Sequence, residues 1–72
     1  MKEKFFIYRK KDRMIISQKL IDLETLAEDY MHSLQHYEKY AVGKIFLKGN
    51  RIIDVEPRGF AVSELNKLIL KK

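Results

Sequence analysis

Two histidines, His32 and His36, stand four residues apart. On a helix that spacing sets both imidazoles on one side, one turn apart, where they can chelate a transition metal. Glu28 and Asp29, one turn earlier, would add a carboxylate. The residues between the histidines are Ser33-Leu34-Gln35, so the general base of a His-Glu-x-x-His metalloprotease is missing. Helical periodicity also turns both rings away from Tyr30 and Leu34, towards solvent. His32 and His36 are therefore a secondary metal candidate beside the plainer reading of two exposed side chains.

Other routes to catalysis are narrower still. The chain has no cysteine, which removes thiol nucleophiles, Cys-based zinc sites, iron–sulfur clusters and disulfides. Ser17, Ser33 and Ser63 lack the strand-to-helix elbow of a nucleophilic serine. Gly43, Gly49 and Gly59 are scattered singly, so there is no phosphate-cradling glycine loop. Most of the acids fall on one helix. Asp54 is the exception, since alternation puts it on the face of Ile45 and Ile52. There it would sit at a strand end and cap a neighbouring backbone group. The expectation is a non-catalytic protein with no cofactor and no small-molecule substrate.

The pattern with more to offer is basic residues interleaved with aromatics. Lys and Arg neutralise phosphates and release counterions, while rings stack on unpaired bases. Arg9, Lys10, Lys11 and Arg13 cluster in one stretch. Lys44, Lys48 and Arg51 fall in a second, with Phe6, Tyr8 and Phe46 among or beside them. These ten residues are the nucleic-acid-binding candidates. The competing reading is that lysines on strands form a solvated rim and that the rings are core or interface contacts.

Positioning them requires strands. Lys4 to Arg9 is rich in aromatic and β-branched residues. Lys10-Lys11-Asp12 is turn-like, and Arg13 to Ser17 reads as a second strand. Leu23, Leu26, Ala27, Tyr30, Leu34, Tyr37 and Ala41 recur at three- and four-residue spacing, which predicts an amphipathic helix of about five turns. Asp22 is its N-cap candidate, Lys39 near its end complements the negative pole of the helix dipole, and Gly43 is its stop signal. Lys44 to Lys48 and Arg51 to Glu56 flank Gly49-Asn50, a two-residue hairpin turn. Pro57-Arg58-Gly59 ends the second of these strands. Ser63 is the N-cap candidate of a short last helix with Val62, Leu65, Leu68 and Ile69 on one side, and the chain closes on Lys71-Lys72.

The expected fold is α+β, two β-hairpins and two helices in the order ββαββα. The long amphipathic helix packs on one face of an antiparallel sheet. If Phe5, Ile7, Ile45, Leu47 and Ile52 face the helix, the open face carries Lys4, Phe6, Tyr8, Lys44, Phe46, Lys48 and Arg51.

The totals agree with a single small domain over residues 1–72. At 72 residues the core is small, and self-association or a partner protein would add to its stability. An apolar fraction of 46% is enough for a globular fold rather than wholesale disorder. No apolar run is long enough to span a membrane or to form the core of a signal peptide, and a small domain without disulfides fits a cytoplasmic setting. The net charge of +5 favours anionic partners. It is unevenly spread: residues 1–19 carry +5, residues 20–41 carry −4, and the remaining two stretches +2 each. The sequence thus points to a binding or regulatory protein that contacts nucleic acid through a basic sheet face and hairpin end. The alternative is a protein-interaction module that modulates a larger protein without touching nucleic acid.

Overall fold

The computed structural model describes residues 2–60 and 62–70, with the side chains of Val62 and Leu70 excepted. The expected apolar contact of Val62 and the terminal Lys71-Lys72 lie outside the described residues. The elements are β1 (Lys2–Arg9), α1 (Glu24–His32), a short 3₁₀ turn (Tyr37–Lys39), β2 (Tyr40–Lys48), β3 (Arg51–Glu56) and α2 (Val62–Leu70). The three strands form one antiparallel sheet in the order β1-β2-β3. The protein is a small α+β fold, and no helix among the described residues is long and apolar enough to cross a membrane.

The β2–β3 hairpin forms at Gly49-Asn50. Gly49 takes the positive φ of 64° that a glycine-first two-residue turn requires, while Asn50 does not. β3 ends at Glu56, before Pro57, as expected.

The first expected hairpin is not regular. Residues 14–21 run along the outer edge of β1, but only through isolated bridges, Tyr8 to Ile15 and Phe5 to Ile21. Three steps along β1 therefore answer six along the facing segment. The excess bulges out, and the Ser17 hydroxyl fills the gap by accepting the Ile7 N–H at 3.2 Å. Ser17 is buried for this reason. The rest of the edge is closed by backbone bonds from Arg9 N–H to Met14 O and between Phe5 and Ile21.

The five-turn helix is also corrected. α1 has nine residues and stops at His32. The Ser33 hydroxyl donates to the Tyr30 carbonyl at 2.6 Å, and His36 adopts a left-handed φ of 60° that redirects the chain. Tyr40, Ala41 and Val42 then pair with Arg9, Tyr8 and Ile7. Strand pairing outweighs the helical spacing of Tyr37 and Ala41, because tertiary partners override a weak local preference. Asp22 does not cap the helix. Leu23 occupies the N-cap, and Asp22 ion-pairs with Lys4. Ser63 likewise lies inside α2 rather than before it.

Register decides which residues form the core. Phe6 lies opposite Gly43, and Lys4 opposite Ile45. Phe6 and Tyr8 thus share a face with Ile45 and Leu47, not with solvent. On that face Phe6, Ile45, Leu47, Leu65 and Leu68 make one cluster, so α2 packs there, with Phe60 completing an aromatic group. Gly43 is no helix stop. It sits in mid-strand, where the Phe6 ring crosses it, and a Cβ built there would lie 2.3 Å from Phe6 Cζ. The opposite face carries Phe5, Ile7, Val42, Lys44 and Phe46, and α1 lies over part of it through buried Ala27. Both faces are therefore at least partly covered. The expected open platform does not exist.

A bulge corrects one more residue. Leu47 pairs with Ile52 and Phe46 with Asp54, which leaves Ile53 as the extra residue of β3. Asp54 is carried to the face of Phe46, away from Ile45. It is exposed and accepts the Val55 N–H at 2.9 Å.

Candidate nucleic-acid interface

The ten candidate residues separate into four places. Phe6 is fully enclosed at 0% exposure, so it offers no ring to a base. Tyr8 is half-buried against Phe60, their centroids 5.0 Å apart. Lys44 and Phe46 lie on the α1 side of the sheet. The Lys44 ammonium sits 5.6 Å from the Phe46 ring centre and 5.8 Å from that of Phe5, with Glu3 at 3.9 Å. Lys48 and Arg51 pair across the Gly49-Asn50 turn at one end of the sheet. Arg9, Lys10, Lys11 and Arg13 gather at the other end.

That last group is built by local bonding. Arg13 adopts a left-handed φ of 57°, and its N–H donates to Arg9 O at 2.7 Å to close the turn. Asp12 pins the inside. Its carboxylate accepts Arg9 Nε at 3.0 Å and Met14 N–H at 3.2 Å. The hydrogen bond from Arg9 is the larger cause, and the Met14 N–H the next, that lowers the Asp12 pKa to about 2. The same pairing raises that of Arg9. Arg13 is also occupied: its guanidinium donates to the Arg58 carbonyl and lies 5.8 Å from the Phe60 ring centre.

β1 and β2 bring a second segment to this end. Arg9 pairs with Tyr40, and the Lys10 N–H donates to the Lys39 carbonyl at 2.9 Å. The turn after β1 and the 3₁₀ turn before β2 thus form the two walls of an open cleft of about 650 Å³. Arg9, Lys10, Lys11 and Asp12 line one wall; His36, Glu38, Lys39 and Tyr40 line the other. The His36 Nδ1 stands 3.7 Å from a Glu38 carboxylate oxygen. Among the described residues, Lys10, Lys11 and Lys39 have no carboxylate within ion-pairing distance.

The sequence placed Lys10 and Lys11 here but missed Lys39, Tyr40 and His36. Lys39 read as a helix-end charge. Only the pairing of Arg9 with Tyr40 carries it across, and that pairing is long-range. The two metal candidates part company for the same reason. His32 ends α1 and packs its ring against Tyr37 at 5.1 Å, while His36 lies beyond the helix in a left-handed turn. They are not on one helical face, and no group of His, Asp and Glu among the described residues is arranged to hold a metal.

Comparison with protein-family models, curated proteins and solved structures finds no match for the chain.

Proposed function

We propose that this is a small binding protein that holds single-stranded nucleic acid in the cleft between the end of β1 and the start of β2. The reading rests on three lysines, Lys10, Lys11 and Lys39, which line one cleft from two segments and have no carboxylate partner among the described residues. Two further features support a single strand over a duplex. The cleft is small, about 650 Å³, and Tyr40 and His36 line it beside the cations as rings on which unpaired bases could stack. The sheet face that the sequence favoured is set aside, because Phe6 is buried in the cluster with Leu65 and Leu68 of α2 and Tyr8 packs against Phe60.

Fluorescence anisotropy with a labelled single-stranded oligonucleotide tests this. With three phosphates neutralised, the log–log salt slope is about −2, so raising salt from about 50 to about 200 mM weakens binding about 20-fold. No binding at the lower salt overturns the proposal.

A second reading has its own observation. Leu23, Leu26 and Tyr30, at 57%, 54% and 50% exposure, form an uncovered apolar stripe on α1. Apolar stripes of this kind mark protein contacts. The protein-interaction alternative would use this stripe, and Leu26→Asp would then abolish partner binding while leaving oligonucleotide affinity intact.

A further inference from the structure

The basic side chains gather at two ends of the sheet. Beyond the cleft at the end of β1, the start of β1 lies beside the β2–β3 turn. There Lys2, Lys4 and Lys19 line a second, smaller hollow of about 320 Å³, together with Gly49 and Asn50. Lys2 pairs with Leu47, so Lys48 and its partner Arg51 stand next to this hollow. Among the described residues at the hollow and its rim, five bases thus meet one acid, Asp22, which Lys4 engages, while Glu3 faces the other side of the sheet. The combined field is felt at Asp22: the Lys4 hydrogen bond first, then the charges of Lys4, Lys2 and Lys19, hold its carboxyl below the usual range. The backbone suits an anion as well, since a turn with glycine at its tip lets a phosphate come close.

Lys2 and Arg9 are seven residues apart on one extended strand, which separates the two ends by about 24 Å. Between them, on the α1 side, lie Glu24 and Glu28 of α1 and Glu3 of β1. A phosphate chain crossing the α1 side would meet these carboxylates, and one crossing the opposite side, where Lys2 and Lys4 lie with Leu47, would run over the apolar cover of Phe60, Leu68 and Ile69. Separate segments, one at each end, avoid them.

We infer that the hollow at Lys2, Lys4 and Lys19 is a second polyanion site and that one chain joins two nucleic-acid segments. This rests on the cleft reading above. Such a protein would tether or bring together strands, a function different from occupying a single one. Linking two weak sites also raises avidity for long or paired strands beyond either site alone.

The test uses two oligonucleotides of about eight nucleotides, within the range that one small site covers. One carries a donor dye and the other an acceptor. The wild-type protein is expected to bind two oligonucleotides per chain and to produce energy transfer, which falls again when protein is in excess. Lys2→Glu with Lys19→Glu, both exposed positions, is expected to keep binding at the cleft, to lose the transfer and to halve the stoichiometry. Lys10→Glu with Lys39→Glu is expected to lose the transfer too. Circular dichroism establishes that each variant is folded. One oligonucleotide per chain and no transfer in the wild type overturns bridging and leaves the cleft standing. Absence of any binding overturns both. Transfer that persists in the Lys2/Lys19 variant shows bridging by self-assembly and overturns the second site.

Discussion

Gly43→Ala is expected to destabilise the protein, and the sign of the effect is informative. Glycine in a strand interior is normally a liability, and alanine there would stabilise by about 0.5–1 kcal/mol. Here the added Cβ meets the Phe6 ring at 2.3 Å, with two more ring atoms at 2.6 and 2.8 Å. The ring has no room to yield. It is fully buried, with Phe60 edge-on at 5.0 Å and Tyr8 at 6.0 Å. Overpacking of this kind costs about 1–3 kcal/mol. For a chain of this size the total stability is about 4–11 kcal/mol, so the loss is substantial. Thermal unfolding followed by circular dichroism would show a fall of about 4–8 °C per kcal/mol. Phe6→Leu supplies the second arm. The smaller side chain relieves the clash, so Gly43→Ala should cost about 1 kcal/mol less or better in that background. A raised melting temperature for Gly43→Ala would refute the packing argument. Equal cost in both backgrounds would refute it as well.

Ser17→Ala removes the acceptor of the buried Ile7 N–H and is expected to cost about 1–3 kcal/mol; chemical denaturation measures the loss, and faster hydrogen exchange at the Ile7 amide localises it. Asp12 gives a pH signature. Its pKa is about 2 when folded against an ordinary 3.8, so its contribution to stability is present above about pH 3.8 and is lost as pH falls through about 2. The stability gap between wild type and Asp12→Asn should therefore be widest at neutral pH and close at the acid end, as read from urea titrations across that range; a gap that is constant with pH would contradict the pairing with Arg9. Lys10→Ala should reduce the salt slope of oligonucleotide binding by about 0.7, one phosphate's share for a single strand. Lys44→Ala should leave the slope unchanged.

Much of the fold was legible because local chemistry wrote it. The Gly49-Asn50 turn between two apolar runs specified its hairpin, and Pro57 its end. The aromatic and β-branched run at Phe5-Phe6-Ile7 specified β1. What escaped was long-range. Phe5, Phe6 and Ile7 are all buried, so alternation within β1 gave no sign of which face each side chain takes. Only the pairing of Phe6 with Gly43 settles it, and this put Phe6 and Tyr8 in the core instead of on an open platform. The helical spacing of Tyr37 and Ala41 was accidental, overridden once Tyr40 and Ala41 paired with β1. The bulge at Ile53 moved Asp54 to the other face, where no pattern in the sequence pointed. At the site, contiguous Arg9 to Arg13 was visible as a charge run, whereas Lys39 arrives through strand pairing from thirty residues away. Its helix-end position gave it a different meaning when the sequence stood alone.

The most direct test of the cleft is a nuclear magnetic resonance titration of the isotope-labelled protein with a short single-stranded oligonucleotide. The amides of Lys10, Lys11, Lys39 and Tyr40 should shift together and saturate together. The amides around Lys44 and Phe46, on the α1 side of the sheet, should hold still. Shifts centred on Lys44 and Phe46, or none at all at low salt, would contradict the assignment of the cleft as the nucleic-acid site.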